Sequence, residues 1–190
     1  MLYLASQSPR RRALLRRLHQ PFRVVRSTYR ETIRPARSPA ANAKRNASGK
    51  AQHAILPRGG NGIVIGADTF LYFLGRIIGK PRTLAEARRM LRALSGKRHW
   101  VYTGLCLVER RTGRTRLSTE RSRVTFKSLS ESAITRLLKR DAPLDKAGGY
   151  AAQRDEGELI AKIEGSRSNV IGLPLERLRR ELVLLEQARA

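Results

Sequence analysis

Apolar residues occur in short runs separated by polar stretches, and their spacing alternates between strand and amphipathic-helix patterns. Continuous or alternating apolar runs predict strands over residues 2–5, 22–25, 63–67, 99–108, 115–126 and 159–163. A further run at 70–73 is expected to continue the 63–67 strand or to pair with it. Three-to-four-residue spacing predicts helices after Ser8, near Pro39, over 83–95, after Ser130 and from Pro174 to Leu185. Gly49 lowers the helix propensity of the second of these segments. The order indicates one α/β domain over residues 1–190, and two consecutive central strands argue against a purely parallel sheet.

The charge balance is extreme and predicts anionic partners. Lys and Arg total 40 against 15 Asp and Glu, which gives a formal net charge of +25. Such a field attracts phosphates, nucleic acids and acidic membrane surfaces alike, so it leaves three classes of partner open. For most single arginines, a solvated position on a helix face is the expected role.

Cysteine content and hydropathy bear on the compartment. The single cysteine, Cys106, has no partner for an internal disulfide and lies in an apolar run, so we expect a buried structural thiol rather than a nucleophile. No apolar stretch reaches the length that spans a bilayer, and no signal-peptide pattern opens the chain. We therefore expect a cytoplasmic protein without a membrane partner.

A candidate phosphate site lies at the first helix. Ser6-Gln7-Ser8-Pro9-Arg10-Arg11 places two hydroxyls and two guanidiniums at a helix N-terminus, where free N–H groups and the helix dipole favour anions. A Ser cap followed by solvated arginines would give the same letters.

Two further motifs suit phosphate chemistry. In Gly66-Ala67-Asp68-Thr69, a carboxylate emerges at the end of a buried strand and could hold a divalent ion or orient water, although such an Asp is also a common turn residue. Gly79-Lys80-Pro81 offers one ammonium on a constrained loop.

The C-terminal half carries two more polar segments. Asp145-Lys146-Ala147-Gly148-Gly149-Tyr150 joins a carboxylate and an ammonium to a flexible turn, and the Gln153 amide beyond it suits a base edge. Ser168-Asn169-Val170-Ile171-Gly172-Leu173-Pro174 puts polar residues just ahead of a helix, as an anion site or as a capped entry.

Taken together and in order, these motifs resemble the Maf family of nucleotide pyrophosphatases, over residues 2 to about 182. Val101-Tyr102-Thr103-Gly104 is part of the same series. The resemblance implies an elongated mixed sheet with flanking helices, in two lobes around a cleft, similar to inosine triphosphate pyrophosphatases. It also implies cleavage of nucleoside triphosphates to monophosphate and pyrophosphate with a divalent ion, Mg²⁺ or Mn²⁺.

The resemblance implies a role for individual residues. Asp68 would accept the proton of the attacking water, while Arg10, Thr69 and Gln153 match positions that set base preference. Positions around the phosphates and the metal are matched by Ser8, Arg11, Glu31, Lys50, Lys80 and Asp145, with Glu31, Asp68 and Asp145 as the metal ligands. The Asp-Thr pair after Gly-Ala, and Lys146 after Asp145, are similar to the pattern of the subfamily that acts on dTTP and UTP. The resemblance therefore implies pyrimidine triphosphates as substrates, modified ones included.

The chain departs from the family pattern at Arg30, where an acidic residue usually precedes the position of Glu31. Two alternatives stay open: a basic nucleic-acid-binding protein, favoured by charge but opposed by an aromatic content of only 5%, and an interaction protein that restrains cell division. The sequence does not decide the preferred base, the metal or whether two chains pair as a homodimer.

Overall fold

The structure, a computed structural model, describes residues 1–155 and 157–187. Within these ranges the strands are β1 (Leu2–Leu4), β2 (Phe22–Val24), β3 (Ile63–Phe73), β4 (Arg76–Ile78), β5 (Arg98–Glu109), β6 (Thr115–Phe126) and β7 (Ile160–Glu164). The helices are α1 (Pro9–Arg16), α2 (Pro39–Gln52), α3 (Leu84–Leu94), α4 (Glu131–Asp141), α5 (Arg167–Ile171) and α6 (Leu175–Gln187). Short 3-10 turns occupy Pro143–Asp145, Ala147–Gly149 and Ala152–Arg154.

The described strands form one seven-stranded open sheet in the order β2-β1-β3-β5-β6-β7, with β4 paired to β3. Strand β1 is parallel to both neighbours, with Leu4 opposite Val24 of β2 and Ile65 of β3. Antiparallel pairing joins β3 to β4 and β6 to β7. The predicted α/β class and mixed sheet are confirmed.

The chain divides into two compact units. The first comprises Met1–Thr69, Tyr102–Glu120 and Ser168–Ala190, and the second comprises Phe70–Val101 and Arg121–Arg167. Strands β3, β5 and β6 therefore each contribute residues to both units.

In the first unit, alternation along the strands supplies two separate cores. Side chains at every second strand position, such as Leu4, Ile65 and Leu107, pack against Leu15 of α1 and Leu178 of α6. The intervening positions face α2 and form the second core, which contains Tyr3, Ala5, Val64, Cys106 and Val108 together with Ala47 and Ala51. Successive strand residues point to opposite faces, so this part of the sheet is covered by helices on both sides.

Helix α2 lies almost in backbone contact with the sheet. A Cβ added to Gly66 of β3 would lie 2.1 Å from the carbonyl oxygen of Ala47, and one added to Gly104 of β5 would lie 2.1 Å from that of Ala43. Only glycine fits at either strand position, because any side chain would push α2 outward.

The second unit packs α3 and α4 around a small aromatic core. Leu91 and Leu94 of α3 and Ile134 of α4 are fully buried. Beside them, His99, Phe126 and Tyr150 make edge-to-face contacts with ring centroids 4.8 to 5.6 Å apart. Edge-to-face geometry is the favoured arrangement for neighbouring aromatic rings.

Most predicted helix starts are confirmed. Thr83 and Ser130 accept hydrogen bonds from the amides of Glu86 and Ala133, as the capping patterns predict. Ser8 is the N-cap residue of α1, but its side chain makes no capping hydrogen bond.

Two local expectations are corrected, and two short elements were not predicted. Strand β3 continues without a break to Phe73, so Asp68 lies within a strand and not at its end. Helix α2 continues through Gly49 and runs for 14 residues. The ring of Tyr29 occupies the space that a side chain at Gly49 would need. Strand β4 and the short helix α5 had no predicted counterpart.

No helix among the described residues combines the length and apolar character needed to cross a bilayer.

The contact between α2 and β5 gives a stability prediction. Gly104→Ala should lower the free energy of unfolding by about 2 to 3 kcal/mol, because the new methyl group meets backbone that can move only with the whole helix. Urea denaturation measures the change. Gly79→Ala is the control, since a Cβ there meets nothing within 4 Å, and it should change stability by less than about 0.5 kcal/mol. Equal effects of the two substitutions would contradict the close packing of α2.

Candidate active site

Asp68 lies on the face of β3 that is turned toward α2. Val64 and Gly66 lie on the same face, and Asp68 is only 4% exposed. Both carboxylate oxygens are held by α2: Oδ1 is 2.7 Å from Nζ of Lys50, and Oδ2 accepts a 2.8 Å hydrogen bond from Nδ2 of Asn46. Lys50 also donates to the carbonyl of Ala67. A buried carboxylate needs such charged and polar partners to stay ionised.

Lys50 joins Asp68 to a second carboxylate. Its Nζ lies 2.5 Å from Oε1 of Glu31, in the segment between β2 and α2. The Lys50 side chain is 9% exposed, whereas that of Glu31 is 45% exposed. The pair of carboxylates therefore runs from the buried strand outward to solvent, with the ammonium between them.

The segment that carries Glu31 is held by side chains of α2. Asn42 bonds to the backbone at Arg34 in both directions, with an N–O distance of 2.8 Å from the amide of Arg34. Arg45 donates to the carbonyl and hydroxyl of Thr32. The chain that follows Glu31 is thus fixed to α2.

Thr69 faces the opposite side of the sheet. Its Oγ1 accepts a 3.1 Å hydrogen bond from Arg11 of α1 and lies 3.0 Å from the hydroxyl of Thr103. Arg11 also donates to the carbonyl of Gly172 at 2.8 Å and to the Ser6 hydroxyl. Asp68 and Thr69, adjacent in sequence, therefore belong to two separate polar networks.

The Arg11 guanidinium is held by neutral oxygens. No carboxylate in the described ranges makes an ion pair with it; its partners are Gly172, Ser6 and Thr69. Loss of hydration lowers the pKa of Arg11, and the negative charges of Asp68 and Glu31 act in the opposite direction. An arginine keeps its proton under such conditions, so Arg11 carries its positive charge among neutral oxygens near the start of α1.

The start of α1 is open to the surface. A pocket of about 270 Å³ lies there, lined by Ser6, Gln7, Ser8, Pro9, Arg12, Arg16 and Val24. Of the predicted site residues, only Ser8 lines this pocket. Arg10 is partly buried in the same turn.

The other predicted site residues belong to the second unit. Lys80 is exposed after β4, and the carbonyl of the preceding Gly79 accepts a 3.0 Å hydrogen bond from the amide of Gly148. Asp145 and Lys146 form an ion pair, and Nζ of the buried Lys146 also donates to the carbonyl of Ala142. Gln153 is exposed in the last 3-10 turn. The backbone hydrogen bond between Gly79 and Gly148 therefore joins the loop of Lys80 to the 3-10 turn that follows Lys146.

Asn46 and Thr103 belong to these networks but were not among the predicted site residues. Asn42, Asn46 and Lys50 follow one another at four-residue spacing, and this polar stripe on an otherwise small-residue helix is a signal that the sequence does contain. The strand residue that this polar stripe contacts is set by the way α2 packs on the sheet.

Cys106 is buried on the α2 face of β5. Burial raises the pKa of its thiol to about 11, so the reactive thiolate is scarce near neutral pH. The expectation of a buried thiol is confirmed.

The described residues contain no group of three or more His, Cys, Asp and Glu side chains placed to hold a metal ion. Glu31 and Asp68 supply two carboxylates near one another. Mg²⁺ is usually held by one or two carboxylates together with substrate phosphates, not by an all-protein cage. The pair fits an ion that enters with a phosphate ligand.

Comparison with known proteins assigns the chain to a family. The family described as Maf-like protein matches residues 1–185. The chain belongs to the Maf family. The resemblance inferred from the motifs is confirmed.

Relatives similar to the chain carry one common name. A dTTP/UTP pyrophosphatase of Syntrophus aciditrophicus is 43% identical over 179 residues, which cover 93% of this chain and 86% of the relative. The dTTP/UTP pyrophosphatase of Bacillus cytotoxicus is 44% identical, over 94% of this chain and 92% of its own length. That of Moorella thermoacetica is 41% identical, over 96% and 94%.

Tyr150, in the predicted Asp-Lys-Ala-Gly motif, is joined to a buried histidine. Its hydroxyl lies 2.9 Å from Nε2 of His99, which is 1% exposed. Burial lowers the pKa of His99 to about 3 and raises that of Tyr150. Because the unfolded chain takes up a proton on His99 near pH 6.5 and the folded chain does not, stability is full above this pH and falls as the pH drops toward 3.

We expect His99→Phe to flatten this dependence. Between pH 6.5 and 5, the wild-type free energy of unfolding should fall by about 1.6 kcal/mol more than that of the variant, because the unfolded histidine is half protonated at pH 6.5 and almost fully protonated at pH 5. Chemical denaturation at several pH values measures both. The exposed His19 provides the control His19→Asn, which should keep the wild-type slope. Parallel curves for wild type and His99→Phe would contradict the buried neutral imidazole.

Proposed function

We propose that this chain is a nucleotide diphosphatase that hydrolyses dTTP and UTP to the monophosphate and pyrophosphate. The observation that carries the proposal is the Asp68–Lys50–Glu31 cluster, which runs from a buried carboxylate to an exposed one. It occurs in a chain that is 41 to 44% identical, over more than nine-tenths of its length, to proteins named dTTP/UTP pyrophosphatase. Nothing in the comparisons favours a nucleic-acid-binding or cell-division-restraining protein.

Asp68 is the proposed general base. In the proposed step, a water oxygen attacks the α-phosphorus, an oxygen of Asp68 takes the water proton, and the bond between the α-phosphorus and the bridging oxygen breaks. Pyrophosphate then leaves as one unit. A carboxylate has about four acceptor sites, so the contacts to Asn46 and Lys50 leave room for a water. Holding base and water in place supplies much of the rate of such reactions.

The proposed metal ligands are Glu31 and Asp68, which belong to the first unit, and Asp145, which belongs to the second unit. The proposed ion is Mg²⁺ or Mn²⁺, and when bound it would neutralise charge on the phosphate oxygens. Lys50 already lies between Glu31 and Asp68. Its ammonium keeps the two carboxylates close together despite their like charge.

The proposed phosphate ligands are cationic or lie at a helix start. Arg11 brings a guanidinium with no ion-pair partner in the described ranges, and Ser8 brings a hydroxyl that does not cap α1. Lys50, Lys80 and Lys146 complete the proposed set. For base preference the proposed residues are Arg10, Thr69 and Gln153; the Thr69 hydroxyl contacts Arg11, so its effect on the base would include the position of that guanidinium.

The proposal also covers the setting of the enzyme. Residues 1–190 would act as one catalytic domain in the cytoplasm, where nucleotides are available, either as a single chain or as a homodimer. The net charge of +25 would add nonspecific nucleic-acid binding that weakens as salt rises.

A triphosphate panel tests the reaction. With Mg²⁺ or Mn²⁺, dTTP and UTP should be cleaved faster than purine triphosphates, and the inorganic product should be pyrophosphate. Pyrophosphate and orthophosphate are measured separately after removal of any pyrophosphatase. Release of orthophosphate alone would show cleavage at the γ-phosphorus and overturn the proposal.

Asp68→Asn tests the base. The amide cannot take a proton from water, so kcat should fall by about 10²- to 10⁴-fold, while the thermal unfolding midpoint stays close to wild type. Asp141→Asn is the matched control, because Asp141 is also a buried carboxylate, 2% exposed and paired with Arg140. It should keep the wild-type kcat. A fully active Asp68→Asn protein would remove Asp68 from the mechanism.

A further inference from the structure

Asn46 is a fully buried amide in contact with the proposed base. It lies on α2 between Asn42 and Lys50 at four-residue spacing, and both asparagines have no exposed surface. Polar side chains are rarely buried to this extent unless their hydrogen bonds are satisfied. The partners of Asn46 are therefore informative.

The orientation of the Asn46 amide follows from those partners. Its Oδ1 lies 3.4 Å from the amide nitrogen of Thr32, which can only donate, and 3.3 Å from the Tyr29 hydroxyl. Its Nδ2 lies 2.8 Å from Oδ2 of Asp68, which accepts when ionised. A flipped amide would lose the contacts to Thr32 and Asp68 together, so only one orientation is compatible with the site.

The two ends of Asn46 reach the two carboxylates of the cluster by different routes. The donor end holds Asp68 directly. The acceptor end holds Tyr29 and Thr32, which flank Glu31 in the sequence. The ring of Tyr29 is pressed against Gly49 of the same helix, so the segment cannot shift without disturbing these contacts.

We propose that Asn46 is a positioning residue of the reaction, which fixes the Asp68 carboxylate and the Glu31 segment relative to each other. The inference rests on the proposed function, because it assigns a catalytic purpose to the Asp68–Glu31 pair. Lys50 alone leaves Asp68 free to rotate about its single contact at Oδ1. The second bond, at Oδ2, sets the plane of the carboxylate and so the direction in which its remaining lone pairs accept a proton.

Asn42 provides a matched comparison. It lies one turn before Asn46 on the same helix, is equally buried, and bonds to the same segment at Arg34, Arg37 and Ser38, but it makes no contact with Asp68. Loss of either asparagine weakens the attachment of the segment to α2. Only loss of Asn46 releases Asp68.

The test compares Asn46→Leu with Asn42→Leu. The same change is made at two buried positions of one helix, and each substitution removes every hydrogen bond of the asparagine side chain. For Asn46→Leu we expect kcat for dTTP or UTP to fall about 10- to 100-fold, as loss of a hydrogen bond to a charged group implies. KM, and the Kd of a non-hydrolysable dTTP analogue, should stay within about threefold of wild type, a split expected when base orientation and not substrate binding is lost. Asn42→Leu should keep kcat within about threefold.

Thermal unfolding of each protein separates positioning from folding. If a leucine variant does not fold, Asn46→Ala and Asn42→Ala make the same comparison without added volume. Wild-type kcat in the Asn46 variant, or an equal loss of kcat in the Asn42 variant, would overturn the positioning role while leaving the proposed function intact. A wild-type protein that cleaves no triphosphate would instead overturn the proposed function, and the role of Asn46 with it.

Discussion

The buried ion pair between Lys50 and Asp68 is the interaction on which the rest of the candidate site depends. The two groups are 9% and 5% exposed at their side chains and only 2.7 Å apart. A lysine on a helix and an aspartate within a strand can meet at this depth only if the helix axis lies close to the sheet. Gly66 and Gly104 provide that approach, since their missing side chains let the backbone of α2 settle on β3 and β5. Removing Lys50 would leave the Asp68 carboxylate buried with only the Asn46 amide as a side-chain partner among the described residues, which costs several kcal/mol. Neutralising Asp68 costs less, because Lys50 keeps Glu31 as an ion-pair partner.

The alternation of side chains along β3 organises the polar groups of the first unit. Asp68 points toward α2 and meets Lys50 and Asn46, while Thr69 points toward α1 and meets Arg11 and Thr103. One strand thus displays a carboxylate network on one face and a guanidinium network on the other. Because β3 is hydrogen-bonded to neighbours on both sides, a shift of one residue in its register would exchange the two faces and dismantle both networks.

The exceptional net charge has a smaller structural role than its size suggests. Many of the acidic side chains are matched with arginine, as in the contacts of Glu131 with Arg88 and Arg92 and of Glu158 with Arg136 and Arg140. Such exposed pairs contribute little to stability and are screened by salt. The arginines in excess of these pairs remain on the surface, where they raise the potential that attracts phosphate-bearing ligands.

Local patterns in the sequence determined most of the fold. Strand and helix periods located the long elements, the Thr83 and Ser130 caps and the α/β class, because burial of one face imposes a period that can be read without knowing the partner. Asp68 and Arg11 were predicted as site residues from the ordered motifs, and Lys50 and Glu31 were predicted from the family resemblance. The structure showed that β3 continues past Asp68. Tertiary structure alone decided that Tyr29 covers Gly49 and that Asn46 holds the Asp68 carboxylate. These two contacts join residues at least 20 positions apart, and such contacts leave no period in the sequence.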